Sequence, residues 1–590
     1  MNGMIVTKAR WPLVGTGMAL LLAAAVSTAL MPATAQEQVE ADLCLVPPGA
    51  QPSLPAKLLS GQGTVNMPVT TNSPEAHAFF LQGMAQLHSF WAREAERSFL
   101  QAAELDPDMA MAYWGIATAA GGDHRSSWQN LRDRSGRGRG GPAKQTEGTE
   151  IARTVNGAAI DPKIRAREAI EKAMSMRDKV TARERMYIEA QWARLNPASK
   201  DPDADFIQAM RKLVAAHPDD LEAKSLLGLV MLYGYELPSK SPRPLTLEGV
   251  ALLEEVIAVD DNHAGAHHYL IHGYEGSANP EKGWRSSERY PQLVPNIPHA
   301  LHMPAHIYIQ SNRVEDAVTA LMAASENELM YMNADALYPP GHYGHNVHFL
   351  VHALNVLGRY EESMEQVRLL LAFKETPAER AGNSQRTVWR QGHFALIKTL
   401  VRFERWQDIL SGNVLPVYDK PEQQAWNLWA TGLAQSATGQ AAAARKSLAS
   451  MKERIEQSTA GLEPLRIAAL ELEATIEARA GKRSASKRRF EEAALREASM
   501  PYTEPPAYPR PVAEGWGHVA LETGDYKTAD KAYMQALSIE PGSGRAYLGR
   551  AHALRGLGQT AQSEEMLERA RKAWHYDNID AGLQRTAGNF

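Results

Sequence analysis

The chain has one cysteine, Cys44, in 590 residues. A lone thiol excludes an internal disulfide framework and any cysteine-ligated zinc or iron–sulfur site. Aromatic residues are only 7% of the chain. Alternating β-branched runs are scarce, which argues against an all-β architecture. Beyond Met31 no stretch is long and apolar enough to cross a bilayer. There is no glycine-rich phosphate loop, no His-Glu-x-x-His pair and no Cys-x-x-Cys-His heme attachment. Serine and aspartate are plentiful, but no spacing singles out a nucleophilic triad. Basic residues do not prevail either: the formal net charge is −5. A mildly acidic chain argues against nucleic-acid binding, which needs basic stripes.

What is present is ordinary soluble-protein composition, 44% hydrophobic and 22% charged, dominated by helix formers. The N-terminus has the pattern of an export signal. Lys8 and Arg10 precede the apolar, alanine-rich run Trp11 to Met31, and Ala33-Thr34-Ala35 gives a small-x-small cleavage site before Gln36. Residues 1–35 are therefore expected to be a signal peptide. The mature chain is expected to be periplasmic or secreted, with no membrane span after cleavage. An uncleaved anchor is the alternative, since about 20 apolar residues span a bilayer. Cys44 lies too far from the apolar run for lipoprotein acylation. Residues 36–73 are Pro/Gly/Gln-rich and form an N-terminal arm, and Ser73-Pro74-Glu75 marks the first helix start.

Histidine is the conspicuous residue. Eleven of the nineteen lie between His263 and His352. His268 and His272 are followed 34 residues later by His302 and His306, and 46 residues after that by His348 and His352. His299 and His345 each precede a pair by three residues. At about 100° per residue, offsets of 0, 3 and 7 fall on one helix face. The pattern predicts three helices that each present a histidine stripe.

The 34-residue interval recurs elsewhere. Gly83, Ala95, Phe99, Ala102 and Pro107 fall at positions 8, 20, 24, 27 and 32 of a 34-residue frame that ends Glu-Leu-Asp-Pro-Asp. Gly517, Gly524, Asp525, Tyr526, Ala529, Tyr533 and Ala536 repeat it before Ile539-Glu540-Pro541-Gly542. Leu357-Gly358-Arg359-Tyr360 gives the turn between the two helices of one unit. These residues resemble the tetratricopeptide repeat family. The resemblance covers most of residues 76–577, with about ten or eleven units, strongest at both ends and weakest over 122–220. It implies an all-α fold, a right-handed superhelix or α-solenoid. The units divide into 76–220, 221–360 with the histidines, and 361–577. An Arg/Gly-rich insertion falls at 131–149 and a tail at 578–590. The family's usual role implies a concave groove that binds a peptide, a small molecule or a protein partner.

In that frame His299, His302 and His306 take positions 2, 5 and 9, and His345, His348 and His352 take the same three. His268 and His272 take 5 and 9, with Gly265 at 2. The following unit ends the pattern with Gln391, Phe394 and Lys398. The resemblance implies that these positions line the groove. Neutral imidazole is the commonest metal ligand. Packed helices lie about 8–10 Å apart, so donors from neighbouring units can share an ion. All-nitrogen ligation suits copper or zinc best, with iron or nickel also compatible. His268, His272, His299, His302, His306, His345, His348 and His352 are thus the candidate metal ligands, with Glu275 as a ligand or an outer partner. A metal-dependent oxidoreductase or a metal carrier follows from that set. Two other readings stay open. One is a cationic or hydrogen-bonding groove for an anionic ligand or peptide, on a non-catalytic scaffold. The other is a satisfied internal polar network.

His217, His263, His267, His393, His518 and His575 are expected to be structural. So are Trp114, Trp426 and Trp429, as core. The loop 334–344 is expected to carry Tyr338, His342 and Tyr343 to the groove mouth, as a lid or an inserted turn. Pro304 breaks the helix between His302 and His306 and is expected to re-aim His306.

Overall fold

A computed structural model describes residues 56–121, 162–334, 340–459 and 461–575. The expected signal peptide at 1–35, the 131–149 insertion, residues 335–339 with Tyr338, and the 578–590 tail lie outside the described residues. Helices begin where side chains satisfy the free N–H groups of the first turn. Ser73 caps Pro74–His88, Thr181 and Glu184 form a reciprocal box on Ala182–Leu195, and Asp220 caps Leu221–Val230. Each helix then turns into an antiparallel partner. Gly358 and Gly524 supply the left-handed backbone of two such turns, at φ 72° and 71°.

Twelve hairpins result among the described residues, from Pro74–His88 with Ala92–Leu105 to Gly544–Gly556 with Thr560–Ala573. The repeat spacing implies about ten or eleven units; Ala182–Leu195 with Pro202–Ala216 lies where the repeat signature is weakest. No strand occurs among the described residues; Tyr235 and Pro242 make one isolated bridge. The fold is an α-solenoid, as the repeats imply.

Small residues set the packing between hairpins. A Cβ on Gly83 would lie 2.7 Å from the Phe99 ring, and one on Gly115 would strike the same ring from the next hairpin. The arm is not free where it is described. Gln62 donates to the Asn296 carbonyl at 2.8 Å, and Thr70 binds the Glu184 carboxylate through both N–H and hydroxyl.

Candidate metal centre

Three consecutive hairpins carry the histidines. Their first helices are Ala264–Tyr274, the pair Pro298–His302 and Pro304–Tyr308, and Gly341–Val356. Pro304 does split the second helix. The break does not separate its histidines, because His302 Nε2 and His306 Nε2 lie 2.8 Å apart. His268 Nε2 and His272 Nε2 lie 3.1 Å apart one helix earlier.

Glu275 joins the two pairs. It follows the end of Ala264–Tyr274 as the C-cap. From there its carboxylate reaches both. Oε1 lies 2.8 Å from His272 Nδ1 and Oε2 lies 2.5 Å from His306 Nδ1. Those two imidazoles hold the carboxyl well below the usual carboxylate range against the opposing effect of burial. Glu275 is thus a buried anion accepting from two imidazoles.

The outer nitrogens define the inner ones. A carbonyl only accepts, so His268 Nδ1, 2.5 Å from the His88 carbonyl, carries its proton. Burial, then His272, push His268 well below the ordinary histidine pKa, so it is neutral and Nε2 is a bare lone pair. His272 donates its Nδ1 proton to Glu275, so its neutral form also turns a lone pair inward. Two lone pairs at 3.1 Å repel; a shared proton or a metal ion relieves them. His299 Nε2 is buried with no hydrogen-bond partner, and its ring centre lies 5.1 Å from that of His268. His268, His272 and His299 offer donor atoms within 4.8 Å of one another, as do His272, Glu275 and His306. Tetrahedral ligands on about 2.1 Å bonds lie roughly 3.4 Å apart, close to these separations.

The remaining predicted ligands lie farther along. The His345 ring centre lies 5.0 Å from that of His302, with the rings tilted by 45°. His348 and His352 continue towards Lys398 and Arg402; burial and then Lys398 depress both histidines, and Arg402 adds to the effect on His352. His348 Nε2 is buried without a hydrogen-bond partner. His342 is half exposed, 3.3 Å from Glu328 and 6.1 Å from His299 by ring centres, so it lies beside the histidine cluster. Tyr343 does not. It is buried beside Phe373 in the hydrophobic core, because it falls on the opposite side of its helix.

The expected structural histidines include two near the site. His263 caps its helix through the Ala266 N–H, and His267 is held by Ser286 and the Asp261 carbonyl. His88, the last residue of Pro74–His88, joins this network. It bonds Tyr269 and Glu222 at 2.8 and 2.7 Å and offers its carbonyl to His268. Its ring also explains Gly265. A Cβ there would lie 2.5 Å from His88 Nδ1, so the first unit cannot hold the histidine that the next two have. Phe90 and Glu504 were not foreseen. Phe90, at φ 52°, lays its ring 4.4 Å from His268 and 5.2 Å from His272.

Known proteins resemble the chain in fold. Residues 520–573 match the family model "Tetratricopeptide repeat". The fold is a tetratricopeptide α-solenoid. Solved structures similar to this solenoid include the human IFIT1 dimer with m7Gppp-AAAA, at 10% identity and TM-score 0.32, covering 86% of this chain and 91% of that one. Another is the APC/C hetero-tetramer Cut9–Hcn1, at 10% identity and TM-score 0.27, covering 84% and 90%. A third is the P58(IPK) TPR domain, at 12% identity and TM-score 0.22, covering 82% and 99%. No curated protein matches the chain. Among the described residues no helix is long and apolar enough to cross a membrane.

Proposed function

We propose that this solenoid binds a transition metal, copper or zinc, in its histidine groove. His268, His272 and His299 are the core donors. His302 and His306 stand beside them, and His345, His348 and His352 extend the donor surface. The observation that carries the reading is the pair of facing Nε2 atoms in His268 and His272, whose outer nitrogens are already committed to a carbonyl and to Glu275. Outer-sphere acceptors of this kind fix the ring tautomer and direct the free lone pair at a metal. The bound ion would supply Lewis acidity or redox chemistry, and the exported chain would act as a metal-dependent oxidoreductase or a metal carrier.

The test is metal content of the purified, tag-free mature chain. About one equivalent or more is expected, falling at least about tenfold in affinity in His268→Ala/His299→Ala with the helical circular-dichroism signal intact. Uptake below about a tenth of an equivalent after loading would overturn the reading. An absorption band on adding copper and oxygen would mark the redox branch.

One observation favours a second reading at the far end of the groove. Lys398 is fully buried near His348 and His352, and burial lowers its ammonium to about 7. Its hydrogen bond goes to the Pro506 carbonyl at 2.7 Å, not to a carboxylate. A buried cation of this kind suits an anionic ligand or an acidic peptide on a non-catalytic scaffold. Carboxylate binding that persists in the metal-free protein and is lost in Lys398→Met would select it.

A further inference from the structure

Two groups of three donors meet in one ring. His268, His272 and His299 offer atoms within 4.8 Å of one another, and so do His272, Glu275 and His306. His272 stands in both, with a different nitrogen towards each. Its Nε2 lies 3.1 Å from His268 Nε2, and its Nδ1 lies 2.8 Å from Glu275 Oε1. A second edge of the carboxylate group joins Glu275 Oε2 to His306 Nδ1 at 2.5 Å. Its third edge sets His272 against His306, with ring centres 5.9 Å apart and planes at 89°. The two nitrogens of an imidazole point apart, so one ion cannot use both. All three side chains are buried, and among the described residues Glu275 pairs only with histidine. Glu504, on the proline-rich stretch 500–511, adds negative charge beside them. Its Oε1 lies 3.5 Å from His306 Nδ1, buried with no hydrogen-bond partner. Buried charges in proteins are paired or coordinate metals. One ring N–H between two carboxylates leaves negative charge unbalanced, and a cation held by Glu275 and His306 would balance it.

We propose that His272 bridges two metal ions as an imidazolate, with Nε2 on an ion held by His268 and His299 and Nδ1 on a second ion held by Glu275 and His306. This rests on the imidazole centre being a metal site and gives it a neighbour. Two imidazoles and a carboxylate suit a zinc, copper or iron(II) ion. The second ion takes the place of two ring protons. The Nδ1 proton of His272 leaves to solvent. That of His306 moves to Nε2, which then donates to His302 Nε2 at 2.8 Å. Glu275 changes from an acceptor of both rings to a ligand. Glu504 is not a ligand here; its charge favours a cation at the neighbouring His306.

The metal-free mature chain is titrated with Cu²⁺, followed by elemental analysis and electron paramagnetic resonance. Two equivalents are expected in the wild type. Spins joined through one imidazolate couple, so the resonance signal rises over the first equivalent and is lost over the second. His306→Gln removes a donor from the second ion alone. It is expected to weaken that equivalent at least as much as loss of an outer partner does, about 10–100-fold, and to keep the uncoupled signal of the first. Glu275→Gln, close to isosteric, loses the coupling as well and serves if the first variant folds poorly. Two wild-type equivalents whose signals simply add would overturn the bridge. So would coupling that survives in both variants. A single wild-type equivalent that is kept in His306→Gln and lost in His268→Ala/His299→Ala overturns it too, and leaves the imidazole centre standing. No uptake of copper overturns both.

Discussion

Glu497 shows how burial acts on a single side chain. Burial, with Glu471 and Glu540 pushing the same way, raises its carboxyl from 4.5 to about 8 against the Val512 N–H and Arg510. It is therefore protonated in the folded state at neutral pH. The unfolded chain releases that proton near 4.5. Between the two values the folded state binds more protons than the unfolded one, so stability falls as pH rises. The loss begins near the unfolded value and is complete above the folded one. Glu497→Gln cannot titrate. Its melting temperature is expected to change less than that of the wild type between about pH 6 and about pH 9, with the two curves converging at the acid end. Parallel melting curves across that range would show that Glu497 is charged in the folded protein. The same residue scale accounts for Gly265, where a neighbouring ring and not the backbone dictates glycine.

Helices and hairpins were legible where one period governs them. The histidine stripes obey the 3.6-residue helix and the 34-residue unit together, so His268, His272, His302 and His306 fall where the spacing puts them. Even the break at Pro304 leaves its pair facing, because Met303 keeps a helical backbone across it, at φ −56° and ψ −36°. Illegible features are those no period reaches. Glu275 acts from beyond a helix end by its own turn. Glu504 arrives on an irregular stretch whose neighbour Tyr502 is 192 residues from its partner Gln310. Tyr343 failed as a groove residue because a loop expectation ignored the helix that begins at Gly341. Packing between hairpins gives the prediction at this scale. Gly83 and Gly115 both press on the Cδ1–Cε1 edge of Phe99, a ring with no exposed surface. A methyl on either must move the ring or part the hairpins. Gly115→Ala is expected to cost about 1–3 kcal/mol, read as a lower melting temperature, and Gly115→Ala/Phe99→Leu to recover part of it. An unchanged melting temperature in Gly115→Ala would mean that the first hairpins pack loosely.

A solenoid whose units touch only their neighbours loses stability locally when one unit is damaged. This chain has contacts that break that rule. Trp574, at the end of the final hairpin, stacks 5.4 Å from Phe403, and a Cβ on Gly358 would lie 2.6 Å from its ring. The His575 N–H donates to the Leu357 carbonyl at 2.9 Å. Arg402, fully buried, binds Glu514 and Glu540 at 3.0 and 2.6 Å across more than a hundred residues. The last units thus dock on residues at and just after the third histidine-bearing helix, and the stretch carrying Glu504 lies within the span that this docking closes. Trp574→Ala removes a nearly buried indole and is expected to cost about 3 kcal/mol. Hydrogen exchange decides how that loss spreads. Contact with neighbours alone predicts faster exchange only over 544–573. Docking predicts that residues 341–360 and 388–402 also lose protection, although they are some two hundred residues away in sequence. If protection changes only in the final hairpin, the terminal contacts add nothing to the groove. If it changes in both places, the end of the chain helps to hold the third histidine helix in position.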